Sequence, residues 1–130
     1  MIQINQIYKC TVCGNIVRVL HAGQGQLVCC GKPMEELIAK SKDEGMEKHV
    51  PVITKTESGV TIDVGSIPHP MEQTHYIEWV ELFVGDQSYL SFLKPGSKSQ
   101  VEFKVTNSNN ESIWARIYCN IHGLWKSEKA

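Results

Sequence analysis

Ile113-Trp114-Ala115-Arg116-Ile117-Tyr118-Cys119-Asn120-Ile121-His122 is the stretch on which the fold turns. Ile113, Ala115, Ile117 and Cys119 alternate with Trp114, Arg116 and Tyr118, the period of a strand with one apolar face. That alternation places Cys119 on the apolar side, so its sulfur is expected to be buried, and His122 follows just past the strand. Working upstream, Val101, Phe103 and Val105 alternate with Glu102, Lys104 and Thr106, and Asn107 to Asn110 reads as a polar turn. Tyr89 to Leu93 is a short strand stopped by Lys94-Pro95-Gly96-Ser97, and Tyr76 to Val84 is rich in aromatic and β-branched residues. Val50 to Thr56 and Val60 to Val64 flank Glu57-Ser58-Gly59 as a hairpin. Strands recurring at about 8–12 residues predict an all-β sandwich or barrel.

The first 37 residues read differently. Ile16 to Leu20 is a short strand, Gly23-Gln24-Gly25 a turn, and Gln26-Leu27-Val28 leads into Cys29-Cys30. A unit below about 40 residues usually needs a metal or an oligomer to hold it. Ala39 to Lys48 is charged and reads as a linker with room for one helical turn. The expected division is therefore a small metal-bound domain over 1–37 and a β-sandwich over 38–130.

Hydrophobic content of 42% with 21% charge suits a globular chain, and a net charge of −1 gives no reason to expect nucleic acid or a membrane surface as partner. No run approaches the roughly 20 apolar residues of a membrane span, and Met1 to Val12 lacks a secretory pattern. The expected compartment is the cytoplasm, where thiols stay reduced. The chain has five cysteines and five histidines. An odd cysteine count, with two cysteines adjacent, fits metal ligation better than disulfides.

Cys10-x-x-Cys13 and Cys29-Cys30 form one ligand set, with Gly14 letting the backbone fold back. Both sulfurs of the adjacent pair must swing to one ion, which should open the angle between them. Four thiolates suit iron and zinc about equally, so a one-electron iron centre and a structural zinc both stand. His49, His69, His75 and Cys119-x-x-His122 form the second set, and His21 is left over as an ordinary surface residue. His69 lies between Pro68 and Pro70, which stiffen its loop; His49 and His75 open strands. Four imidazoles and a thiolate make five donors, and a square pyramid of five leaves one position for a reactant. A thiolate opposite that position pushes electron density through the metal. Glu47 and Lys48 precede His49. As a pair they read as solvated surface; beside a ligand, Lys48 draws small anions and Glu47 offers a carboxylate to the oxidised metal.

YKCTVCGNIV, LVCCGKPM, EKHVPVI, HPMEQTHYIEWVEL, FLKPG and YCNIHGLWK, in this order over nearly the whole chain, resemble the desulfoferrodoxin family of two-iron superoxide reductases. The resemblance implies a desulforedoxin-like N-terminal domain with iron on Cys10, Cys13, Cys29 and Cys30. It implies an immunoglobulin-like sandwich with iron on His49, His69, His75, Cys119 and His122. The thiolate would be axial and the imidazoles equatorial, three through Nε and that of the Cys-x-x-His motif through Nδ. It further implies reduction of superoxide to hydrogen peroxide without release of dioxygen, Glu47 and Lys48 beside the reacting position, an electron donor such as rubredoxin, and a homodimer. Zinc remains open for the first site. The rival reading from another class is a non-enzymatic electron carrier whose second centre is saturated by protein ligands; a dismutase, told apart by dioxygen release, is a closer one.

Overall fold

Among the residues that the computed structural model describes (2–43, 48–105 and 112–127), every regular element is a β-strand. The chain divides into two units, Met1–Ile38 and Ala39–Ala130.

In the first unit β1 (Ile7–Lys9) pairs antiparallel with β2 (Ile16–Arg18) on one side and β5 (Glu35–Leu37) on the other. A separate small hairpin joins β3 (Val28–Cys29) to β4 (Lys32–Pro33). The strand expected at 16–20 ends at Arg18, although Val19 N–H still donates to Gln6 O at 2.9 Å. The apolar interior is little more than Ile7, Val19 and Cys10. At about 1.5–3 kcal/mol for each large apolar side chain buried, so small a core cannot offset the chain entropy of the unit.

The second unit is an immunoglobulin-like sandwich of two antiparallel sheets. One sheet orders β10 (Gln100–Phe103), β7 (Gly59–Val64) and β6 (Pro51–Thr56); the other orders β12 (Gly123–Lys126), β11 (Ile113–Cys119), β8 (Ile77–Val84) and β9 (Gln87–Phe92). Glu57-Ser58 closes the expected hairpin, with Thr56 opposite Gly59. Val60, Ile62, Val64 and Phe103 of the first sheet pack against Ile77, Val80, Leu82, Val84, Ile113, Ala115 and Ile117 of the second. The alternation along β11 thus sends Ile113 to Cys119 into the core, and Cys119 is fully buried.

Trp114, Arg116 and Tyr118 take the other face of β11, as expected, and that face is itself largely buried. Trp79 stacks on Tyr118 at 4.6 Å and Phe83 on Trp114 at 4.1 Å, roofing a bidentate pair between Arg116 and Glu81 whose bonds are both 2.8 Å. Of the Ala39–Lys48 segment, read as a linker with room for one helical turn, residues 44–47 lie outside the described residues, and 39–43 are not helical. Instead Lys40 runs as a parallel bridge beside Trp125, with Lys40 N–H donating to Leu124 O at 2.9 Å and Lys126 N–H to Lys40 O at 2.8 Å. The backbone of Lys40 is thereby held on the edge strand. The turn expected at Asn107 to Asn110 lies outside the described residues.

Antiparallel pairing gathers the second ligand set. Pro51, just after His49, pairs with Val64 at the end of β7; Ile77, just after His75, pairs with Cys119 at the end of β11; and Cys119 pairs with Gly123, just after His122. All these strand ends therefore fall at one end of the sandwich.

Candidate metal centres

Cys10, Cys13, Cys29 and Cys30 bring their sulfurs within 4.8 Å of one another. Sulfurs placed tetrahedrally at roughly 2.3 Å from one ion would stand roughly 3.8 Å apart. The Cys13–Cys29 and Cys29–Cys30 separations are 3.6 and 3.9 Å, so a single ion fits. The adjacent pair is the wider of the two, the direction that its local geometry dictates. Cys30 adopts φ +52° and Gly31 φ +73°, which turns the two neighbouring side chains inward. At the other edge Gly14 (φ +83°) folds back so that its N–H donates to Cys10 O at 3.0 Å. The N–H groups of Cys13 and Val12 both donate to the Cys10 sulfur at 3.4 Å. The Cys13 N–H first, then that of Val12, lowers the Cys10 thiol to about 6. Hydrogen bonding with Cys13, then Cys29, pushes Cys30 up to about 12, and Cys13 likewise raises Cys29. The backbone N–H groups thus favour negative charge on the Cys10 sulfur, while its neighbours disfavour it on Cys29 and Cys30.

The second set is His49, His69, His75, Cys119 and His122, with one donor atom of each within 4.8 Å of all the others. Its rings form a closed cycle of edge-to-face contacts. Centroids lie 4.6 Å apart for His49–His69, 4.9 Å for His69–His75, 5.1 Å for His75–His122 and 4.9 Å for His122–His49. Four imidazoles in a cycle make the base of a square. Donors opposite one another across an ion at roughly 2.0–2.3 Å would be about 4.0–4.6 Å apart, within the observed spread. His69 Nδ1 shares a hydrogen bond of 2.7 Å with Pro70 O, which assigns its proton to Nδ1 and turns Nε2 to the centre. Among the described residues, the Nε2 atoms of His69 and His75 and both ring nitrogens of His49 are buried without a hydrogen bond, and the Nδ1 of His122 lies 3.9 Å from the Cys119 sulfur. Borderline nitrogen and soft sulfur donors suit iron. The chemistry of both donor sets thus matches two iron ions per chain; the four-thiolate set also accepts zinc.

The loops are pinned from outside. Asn120 Nδ2 donates to Thr74 O at 3.1 Å and its Oδ1 accepts from Tyr76 N–H at 2.9 Å, so one side chain ties the His75 loop to the Cys119–His122 loop. Asp43 Oδ1 accepts from the N–H groups of His49 and Val50. Gly65, at φ +82°, lies so close to the Lys48 carbonyl that any Cβ there would collide with it. His122 N–H donates to the Cys119 sulfur at 3.4 Å. Lys48 is half-buried next to His49; Glu47 lies outside the described residues; His21 is exposed in the first unit. The sequence reading missed Asn120, Asp43, Trp125 and Lys40. Only Asn120 carried a signal, its place inside the Cys-x-x-His turn.

A four-thiolate cluster in a small unit, with four imidazoles and a thiolate at one end of an immunoglobulin-like sandwich, defines a two-centre non-haem metalloprotein. Comparison with known proteins agrees. Residues 41–128 match the desulfoferrodoxin family and residues 3–37 match its N-terminal domain. The chain belongs to the desulfoferrodoxin family. It is 52% identical over 125 residues to a desulfoferrodoxin homolog of Methanothermobacter thermautotrophicus, covering 96% of this chain and 99% of that one. It is 53% identical over 123 residues to the desulfoferrodoxin of Nitratidesulfovibrio vulgaris, covering 95% of each. Among solved structures it is similar to the superoxide reductase of Treponema pallidum, with TM-score 0.77, 26% identity, and coverage of 95% of this chain and 97% of that one. A one-iron superoxide reductase of Giardia intestinalis aligns with 65% of this chain and 98% of its own, at TM-score 0.57 and 28% identity.

Proposed function

We propose that the chain is a superoxide reductase, adding one electron and two protons to superoxide to give hydrogen peroxide. The observation that carries this is the closed cycle of four imidazoles with the Cys119 sulfur within reach of every ring donor. Iron bound there would supply the electron, and the Cys119 thiolate would raise its readiness to give it. His49, His69, His75, His122 and Cys119 would hold that iron with five protein donors, one fewer than six, which would leave room for the substrate. No helix among the described residues is long and apolar enough to cross a membrane.

The roles of individual residues follow on that reading. Residues 1–37 serve as the four-cysteine iron domain and 38–130 as the reductase domain. Cys10, Cys13, Cys29 and Cys30 bind the first iron, whose part is chiefly structural, since so few apolar side chains hold that unit. Lys48 attracts the anionic substrate to the site, and Glu47 supplies a carboxylate to the oxidised centre. A partner such as rubredoxin returns the electron, the protein works as a homodimer built partly through residues 1–37, and it removes superoxide in the cytoplasm.

The test is product stoichiometry with the prereduced protein. A reductase yields one peroxide per superoxide and no dioxygen; dioxygen release would make it a dismutase. In pulse radiolysis Lys48→Ile should slow superoxide capture roughly 10-fold at low salt and flatten its salt dependence. Capture as fast as wild type across the salt series would return Lys48 to ordinary surface.

A further inference from the structure

Trp125 and Lys40 belong to none of the ligand sets, yet they touch two of the ligands at once. The Trp125 indole stacks on the His49 imidazole, with centroids 4.6 Å apart and planes 12° from parallel. Its Nε1–H donates to the His122 carbonyl at 3.1 Å. Lys40 Nζ donates to the same carbonyl at 3.4 Å and stands 5.0 Å from the centroid of the indole. Trp125 is 3% exposed and anchored in the core by β12, and Lys40 is held by its backbone bonds on both sides. His49 and His122 are themselves neighbours in the imidazole cycle. One rigid aromatic therefore sets the rotation of one ligand ring by stacking and holds the loop of the next by a hydrogen bond. An ammonium placed against that aromatic and that carbonyl adds positive charge at the edge of the centre.

We propose that Trp125 is a positioning residue for His49 and His122, and that Lys40, braced on it, raises the reduction potential of the five-ligand centre. The inference rests on the reading that these five residues bind iron. Reduction lowers the positive charge at the centre, so a fixed nearby cation opposes the oxidised state more than the reduced one. Removing that cation must lower the potential. Lys40 is exposed, so salt screens the effect.

The experiment is a potentiometric titration of the iron-loaded protein, followed at the sulfur-to-metal absorption band of the five-ligand centre, over a salt series. Lys40→Met should lower the potential by about threefold to tenfold in the one-electron equilibrium, tenfold being about 59 mV. The difference should shrink as salt rises, and Lys40→Arg should restore most of it. Trp125→Phe keeps a stacking ring but loses the bond to His122, so it should shift the band and speed iron loss to a chelator. A Lys40→Met potential equal to wild type at low salt, or no recovery with arginine, overturns the electrostatic role. A Trp125→Phe protein with wild-type band and iron retention overturns the positioning role. A lower melting point of iron-loaded Lys40→Met than of wild type makes Lys40 a structural residue and also overturns it. If wild type itself shows no such band, or Cys119→Ser keeps it, the iron reading beneath the inference is what fails.

Discussion

Replacing Arg116 by leucine should destabilise the sandwich more than any exposed change. The Glu81 carboxylate is 1% exposed and receives two charge-assisted hydrogen bonds from the guanidinium, Nε to Oε1 and Nη2 to Oε2, each 2.8 Å. Trp79 Nε1–H adds a third at 3.1 Å. Arg116→Leu removes the guanidinium and leaves the negative charge under the aromatic roof formed by Phe83 and Trp114. Removing one partner of a buried pair costs about 3–5 kcal/mol. At about 4–8 °C per kcal/mol for a unit of this size, melting should fall by about 12–40 °C. The double variant Glu81→Leu, Arg116→Leu has no charge left to bury and should recover most of the loss, since well-packed apolar substitutes for a buried pair are often neutral. Urea and thermal unfolding followed by tryptophan fluorescence measure both, with iron at the same excess in each sample because bound metal adds its own stability. A loss below about 1 kcal/mol for the single variant would mean that water reaches Glu81 and the pair behaves as a surface pair. A double variant as unstable as the single one would refute the buried-charge argument directly.

Cys119→Ser should abolish the sulfur-to-metal band of the five-ligand centre and leave the four-cysteine spectrum intact; an unchanged band would remove Cys119 from the ligands. Metal uptake by the four-cysteine cluster should weaken as pH falls. Cys29 is raised and Cys30 stands at about 12, so both must lose protons to bind, and each proton displaced lowers apparent affinity about tenfold per pH unit. Cys10, lowered to about 6, adds a further proton only below that pH, so competition with a chelator should steepen there. Asn120→Ala should loosen the His75 loop from the Cys119–His122 loop and speed iron loss, whereas Asn120→Asp, which keeps the acceptor for Tyr76 N–H, should lose less; equal retention in both would show that the amide ties nothing. Iron analysis should give about two ions per chain, less any zinc in the four-thiolate site.

Alternation along 113–119 was enough to send Cys119 inward, because a period of two assigns faces without knowledge of any partner strand. Residue chemistry was likewise enough to sort cysteines and histidines into two donor groups, and the same residues lie together in space. What it could not assign was anything that depends on which strands are neighbours. The edge strand β12 exists because the longer β11 offers it a ladder, and the pairs β3–β4 and β1–β5 join strands of only two or three residues with little alternation of their own. Lys40 sits in a charged segment that looks like a linker, and only its pairing with Trp125 brings its ammonium to the metal end. Arg116 and Glu81 are 35 residues apart, and nothing in either strand's own pattern pairs them; the β8–β11 register sets them opposite and the aromatic stacks close over them. The order of the imidazoles around their square is of the same kind. Which residues can bind a metal is a local property of side-chain chemistry, whereas which ring stands beside which, and what indole or ammonium lies behind it, is decided by contacts between distant segments that one strand's pattern does not contain.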